Sequence, residues 1–402
     1  MKDVDITILG AGPVGSALAL LLARTAPDPS RIVLCHAWRG ARAALEATAS
    51  TAPAGPDPRA LALNHGSRVL LENLDAWPDR GAPIRTVHVS QRGRLGRTLI
   101  RHTDFGVSEL GTVHQYTRVQ EALHAALTHS GITLIEGDTA VITSQDGTGA
   151  TIAQGDQTWR TRIAVQAEGG GFDNDPTTTL QRDYGQTAVL ALVRAERPAI
   201  DWAWERFTRE GPLALLPVHA GTPANDNNHL YSLVWCCGPE QADRLKASSD
   251  LAFSQALMAT FGERMGQLST AGPRHMFALR MQWKREIVQG RRVAIGNAAQ
   301  SLHPVAGQGL NLGLRDAARL AGTLVPWQQS PHTSPDVLLH QFSRARRGDR
   351  LLTAGITDLL PRVFSMGWSP IEHACGLALL ALDTLPPLRR PLGRQLMQGL
   401  RS

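Results

Sequence analysis

Apolar positions recur along this chain in two rhythms, and the change from one to the other falls repeatedly at glycines. Val4, Ile6, Ile8 and Leu9 form a short apolar run that reads as a buried strand, and residues 17–23 then read as a helix. Residues 31–34 predict a second strand, and the Ala-, Pro-, Gly- and Thr-rich stretch 40–58 predicts a loop. A helix over 67–74 would turn Val69, Leu70 and Leu74 inward. Ile84, Val87 and Val89 alternate as strands do, and Arg118 opens a helix with Val119, Leu123, Ala126 and Leu127 on one face. Residues 132–165 alternate as a small meander. Strands resume from residue 183, with 231–235 the cleanest, 219–229 a surface loop and 253–261 a helix. After an apolar strand at 293–295, Leu310, Leu314, Ala317, Ala321 and Leu324 return at helical spacing. The chain closes on two helical stretches, 342–364 with arginines on one side and leucines on the other, and 371–382 with an apolar run at 377–382. The pattern is mixed α/β.

Composition narrows the class. The 402 residues suffice for two or three domains or one elaborate one, and 43% hydrophobic content supports a sizeable core. The net charge of +6 suits anionic lipid or phosphate groups. No dense Lys/Arg block or nucleic-acid motif accompanies it, so no nucleic-acid partner is expected. Cys35, Cys236, Cys237 and Cys375 have neither metal nor disulfide spacing, which predicts no metal and suits a reducing cytoplasm. No signal peptide is expected, because the first apolar run passes straight into glycines. No apolar run approaches the roughly 20 residues that a membrane span needs.

Two glycine loops carry the candidate chemistry. Gly10-Ala11-Gly12-Pro13-Val14-Gly15 is G-x-G-x-x-G between a predicted strand and a predicted helix, the context in which that spacing binds a dinucleotide. The first glycine allows the turn, the second lets a pyrophosphate approach the backbone, and the third lets helix and strand pack closely. The fingerprint expects an acidic residue at the end of the second strand, but His36 stands there. A neutral imidazole makes one hydrogen bond to a ribose where a carboxylate makes two, a difference of about 1.5–3 kcal/mol. The second loop runs from Gly296 and Asn297 through Pro304 to Gly307, Gln308, Gly309, Leu310 and Asn311, where a helix begins. A helix N-terminus behind a glycine loop favours an anion, either a phosphate or the N1–C2=O edge of a flavin.

The wording of several stretches is more specific than their spacing. GNAAQSLHPVAGQGLNLGLRDAARLA at 296–321, DPRALAL at 57–63, HVSQRGRLG at 88–96 and ERFT..GPLALLP with SLVWC at 205–236 resemble the class A FAD-dependent aromatic hydroxylases. The likeness is strongest to their ubiquinone-biosynthesis branch, in particular the 2-polyprenyl-6-methoxyphenol hydroxylases, and it spans the chain from residue 4 almost to its end. It implies a fold like p-hydroxybenzoate hydroxylase. A discontinuous Rossmann-like FAD-binding domain would take 1–75, 100–175 and 276–330; a β-sheet substrate domain would take 76–99 and 176–275; and 331–402 would be a C-terminal helical region. It implies an enzyme in which NAD(P)H reduces FAD, and reduced FAD takes up O2 and passes one oxygen to a polyprenylated phenol ring. The resemblance places Pro304 and Val305, with His303, at the flavin's reaction face, and Gly307, Gln308 and Gly309 along its pyrimidine edge. Arg59 and Arg118 would approach the cofactor. Ala167-Glu168-Gly169 stands where the family has A-D-G at the pyrophosphate. No base for the phenol stands out.

Two rival readings stay open. His36, Glu168 and a missing S-x-x-R after residue 172 would suit a weakened homologue that serves as a scaffold in a quinone-biosynthesis assembly. A hydroxylase of another, soluble aromatic is the third. The apolar run at 377–382, followed by Arg389, Arg390, Arg394 and Arg401, reads first as a helix covering the flavin domain. It also leaves open contact with a membrane surface or with other quinone-biosynthesis proteins. The expected location is cytoplasmic, with membrane association open.

Overall fold

The computed structural model describes residues 3–36, 59–94, 96–169, 178–219, 230–303, 307–365 and 368–385, together with 387, 390, 391, 393 and 394. Pro304 and Val305, the whole predicted 40–58 loop, all of the 219–229 loop but its first residue, the stretch 170–177, and Arg389 and Arg401 lie outside the described residues.

Among the described residues the first sheet has eight strands. Asp3–Leu9 lies at its centre, parallel to Gln157–Gln166 on one side and to Ile32–His36 on the other, with Thr133–Glu136 beyond. Ile6, Ile8, Ile32 and Leu34 are buried on one face and Leu9, Val33 and Ala164 on the other, which suits strands covered on both faces. The helix Pro13–Ala23 follows the central strand directly and packs against Gln308–Gln328, and Leu18, Leu22, Leu314, Leu320 and Leu324 join the sheet in one core. Full burial of each such leucine stabilises the fold by about 1.5–3 kcal/mol. The predicted 132–165 meander is partly different. Val141–Gln145, Ala150–Gln154 and Gln157–Gln166 are antiparallel neighbours, but Thr133–Glu136 leaves them and pairs parallel to Ile32–His36.

The second sheet has nine strands among the described residues, including Thr86–Gln91, Arg97–Arg101, Thr179–Ala195, Trp202–Phe207, Pro212–Pro217, Leu230–Cys237 and His275–Lys284. Its back face packs on the helices Pro239–Ala247 and Asp250–Phe261 through Val189, Leu213, Leu233, Trp235, Phe253 and Leu257. His275–Lys284 hydrogen-bonds along Thr179–Ala195, so residues 276–284 pair with this sheet; the first sheet is rejoined only at Val288–Gln289. A third, small sheet joins Ala60–Asn64, Gly111–Gln115 and Ala82–Ile84.

Two local expectations differ. In the helix His65–Asn73, Leu71 is buried and Leu74 just beyond it is too, while Val69 is 42% exposed. Leu70 and Leu74 pack inward as the sequence suggests, and Leu71 takes the place expected of Val69. The last helix, Ser369–Thr384, does not cover the first sheet. It lies on Arg97–Arg101 and Thr86–Gln91, where Gly96 and Gly376 let helix and strand backbones touch. Leu99 N–H donates to Asp383 Oδ1 at 2.8 Å, and Thr98 Oγ1 donates to the Leu379 carbonyl. An open sheet edge is thereby covered.

Candidate cofactor and substrate site

The first glycine loop has the geometry its spacing predicts. Gly10 has φ +105° and lies against Ala167, and a Cβ on Gly15 would sit 1.9 Å from the Gly10 carbonyl oxygen. Gly12 caps the helix Pro13–Ala23, and a Cβ there would meet no protein atom within 4 Å. The first and third glycines are thus fixed by the protein's own packing, and the second faces open space. His36 ends its strand on the wall of the same space, with its imidazole held below the usual range by burial and so neutral at pH 7. Arg59 lies there too, its guanidinium 4.5 Å above the Tyr116 ring, and is the only Lys or Arg among the described wall residues.

The second loop is held from behind by a buried ionic lattice. Gly296 has φ +58° and packs on Val14. Its N–H donates to Asp316 Oδ2 at 3.0 Å, and Gln300 Nε2 donates to the same oxygen at 2.7 Å. Arg346 Nε donates to Asp316 Oδ1 at 2.7 Å, and Arg346 and Arg315 both pair with Asp349. Burial alone would raise the Asp349 carboxyl, but Arg315 and Arg346 outweigh it and hold the carboxyl below the usual range. Arg350 donates to Gln300 and to the carbonyls of Lys284 and Ala299. Arg315 comes from Gln308–Gln328 itself, and Arg346 and Arg350 from Asp336–Ser365, a helix whose arginine-rich side was legible; that Arg346 and Arg350 turn inward was not.

Asn311 has a different part from the one expected. Its Oδ1 accepts from Asn64 N–H at 3.0 Å and Ser67 Oγ at 2.7 Å, and its Nδ2 donates to the carbonyls of Ala62 and Gly307. The side chain is committed to tying Gly307, itself at φ +59°, to the Ala60–Asn64 strand. Gly309 beside it is open, with no protein atom within 4 Å of a built Cβ.

The two glycine loops meet at one cavity of about 1190 Å³. Gly10, Gly12, Pro13, Val14, His36, Arg59, Glu168, Gly169, Asn297, His303, Gly307, Gln308, Gly309, Leu310 and Asn311 share its wall. Gly15 and Gly296 lie behind the wall as packing glycines. Arg118 is not brought to the cavity. It is 57% exposed and pairs with Glu121 at 3.6 Å. Tyr116 and Gln120, one turn apart, face the cavity from the same helix, which leaves Arg118 half a turn away. Gly12, Gly169 and Gly309 mark an open channel where a Cβ would intrude on a ligand rather than on protein, and this fits an extended dinucleotide. Burial raises the Glu168 carboxyl above the usual range. His303 is buried, hydrogen-bonds Gln186 Oε1 at 3.0 Å and is pushed down to about 4 by burial, so the ring is neutral.

The far end of the cavity is apolar. Val87, Val89, Ile100, Leu216 and Val234 come from the front face of the nine-stranded sheet, and Leu360, Val363, Phe364 and Leu379 from the C-terminal helices. Phe207 stacks on Phe364 with centroids 4.2 Å apart. One polar residue that the sequence reading passed over, Glu205, lies among them.

The chain matches the family described as FAD binding domain over residues 3–347. It is 32% identical to ubiquinone hydroxylase UbiL of Rhodospirillum rubrum, over 100% of this chain and 91% of that protein. It is 27% identical to the 3-demethoxyubiquinol 3-hydroxylase of Escherichia coli K12, over 97% of each. The structure of p-nitrophenol 4-monooxygenase PnpA from Pseudomonas putida DLL-E4 superposes with a TM-score of 0.71 at 14% identity, over 100% of both chains, a likeness of fold alone. Together with the cavity and its glycine loops, these matches show that the chain belongs to the FAD-binding family of class A flavin-dependent aromatic hydroxylases and that FAD is its cofactor.

Proposed function

We propose that this protein hydroxylates a polyprenylated phenol in ubiquinone biosynthesis, consuming NAD(P)H and O2. The observation that carries the reading is the single cavity, with a glycine-built dinucleotide channel at one end and an apolar sheet-and-helix slot at the other. Bound FAD, once reduced by NAD(P)H, supplies the activation of O2. The chain's own residues bind and orient. Gly12, Gly169 and Gly309 would give the cofactor backbone contacts, and Arg59 would supply positive charge for the pyrophosphate. The strand and helix side chains surround the ring and keep water from it. Pro304 and Val305 belong at the reaction face by family likeness, and the domain division expected from the sequence is carried forward with its last boundary moved past Lys284.

The slot suits an isoprenoid tail. Phe277 and Leu359 line the cavity yet are 47% and 60% exposed, so they mark its mouth. Leu351, Leu352, Trp368, Leu377 and Leu380 on the same two C-terminal helices are also exposed. No described helix is long and apolar enough to cross a membrane. We propose that these helices instead rest on a membrane surface from which the tail enters. Co-sedimentation with anionic vesicles tests the contact, and a protein that stays in the supernatant rules it out.

The decisive experiment for the reaction supplies FAD, NAD(P)H, ¹⁸O2 and a polyprenylated phenol, and reads the product by mass spectrometry. One labelled oxygen on the ring is expected. Bound FAD with no labelled product would overturn the reading. Failure to bind FAD at all would move the weight to the scaffold reading.

A further inference from the structure

The front face of the nine-stranded sheet carries one unexplained carboxyl. Registered pairs run across it from Val89 to Glu205, from Glu205 to Ala214 and from Ala214 to Val234, and all of these residues line the cavity. Along its own strand, Glu205 shares this face with Ala203 and Phe207. Trp204 is on the opposite face, with its ring 4.6 Å from that of His88. Arg206 also points backward, where Nε donates to the Thr260 carbonyl at 3.0 Å. The Glu205 side chain has no hydrogen bond or ion pair among the described residues. An ionisable group with no partner in an apolar wall is poorly tolerated unless a ligand completes it.

We infer that Glu205 is the contact for the substrate's phenolic hydroxyl: its carboxyl holds that hydroxyl and takes its proton as the ring is attacked. The inference rests on the proposed phenolic substrate. In the step, the phenol O–H bond breaks and a carboxyl O–H bond forms. The electron pair stays on the phenol oxygen and enriches the ring that receives oxygen. The hydrogen on the attacked carbon later leaves to solvent as a proton, and Glu205 returns its own proton to the phenol oxygen.

Electrostatics agree with the geometry. Burial pushes the Glu205 carboxyl up to about 8. The titratable neighbour across the sheet is the Cys236 thiol, raised well above its ordinary value first by burial and then by the charge of Glu205, and so uncharged. A carboxyl whose value is raised is neutral below that value and a base above it. The rate therefore rises as pH climbs through about 8.

The test compares wild type with Glu205→Gln, which keeps shape and removes the acid, and with Glu205→Asp. FAD content and thermal unfolding should match wild type in both. Glu205→Gln should lose about 100-fold in kcat, the usual scale of a removed acid–base group, and its rate should lose the rise near pH 8. Glu205→Asp should recover part of both. A readout free of turnover uses 4-nitrophenol bound to the oxidised holoenzyme, whose absorbance distinguishes phenol from phenolate. Its bound titration should move in Glu205→Gln. Active wild type with an unchanged Glu205→Gln profile and an unmoved 4-nitrophenol titration would overturn the assignment and leave the proposed reaction standing. Wild type that binds FAD but oxygenates no phenol would overturn both.

Discussion

The two ends of the cavity are built on opposite plans. At the cofactor end the ligand surface is backbone, and several of the polar side chains there are already engaged by protein: Asn311 by four hydrogen bonds, Asp316 by Gly296, Gln300 and Arg346. At the substrate end the surface is side chain, almost all of it apolar, and Glu205 is left without a protein partner among the described residues. A cofactor of fixed shape is met by rigid N–H groups that glycine exposes. A ring that must be turned and activated is met by one adjustable acid in a dry wall.

Substitutions at the cofactor end should have the largest effects. Gly15→Val places carbon where the Gly10 carbonyl already stands, 1.9 Å from a built Cβ. It should abolish FAD binding, by more than about 100-fold in Kd. Gly309→Ala sharpens the point, because the site is open in the protein alone. Its apo form should melt with wild type, and only the FAD titration should weaken. Normal FAD binding by Gly15→Val would break the contrast between packing glycines and ligand glycines.

Next comes the lattice behind the second loop. Arg346→Met leaves Asp316 and Asp349 buried with fewer partners, so urea unfolding of the apo protein should show a loss of about 3–5 kcal/mol. A loss below about 1 kcal/mol would mean the loop stands without its clamp. His36→Glu should act in the other direction and more gently. Restoring the bidentate ribose contact should tighten FAD about ten-fold by flavin fluorescence titration. An unchanged Kd would show that other contacts already satisfy the ribose.

The smallest effect belongs to the mouth. Leu359→Gln should raise KM about three-fold for a long-tailed phenol and leave a short-tailed one unchanged, since less than one full side chain of apolar contact is lost. Equal effects on both would place the tail elsewhere.

The legible parts of the molecule were those fixed by short-range constraints. Gly10, Gly296 and Gly307 all have positive φ, which other residues rarely adopt, so their places in the sequence marked the loops. The helical period of Leu314, Ala317, Ala321 and Leu324 marked the face that packs on the first helix, and the structure buries all four. His36 stands out as a departure because the motif sets where an acid belongs, and Glu168 because the family it resembles has Asp there.

Pairing over long separations decided the rest. Val87 and Val89 alternate with Thr86, His88 and Ser90, and period two by itself does not say which set faces the cavity; the parallel pairing with Trp202–Phe207 turns the valines there and sends His88 back against Trp204. The same pairing turns Glu205 inward. Arg118 was set aside by helix rotation, and Arg346 was drawn inward by Asp316, thirty residues away in sequence. Sequence by itself determined the glycine loops, the apolar face of the helix after the second loop and the family, because each is written in residue types at fixed short spacing. Only the tertiary structure decided which strand face became the substrate wall and which charges were buried, because those depend on partners that lie far along the chain and meet only when the sheets close.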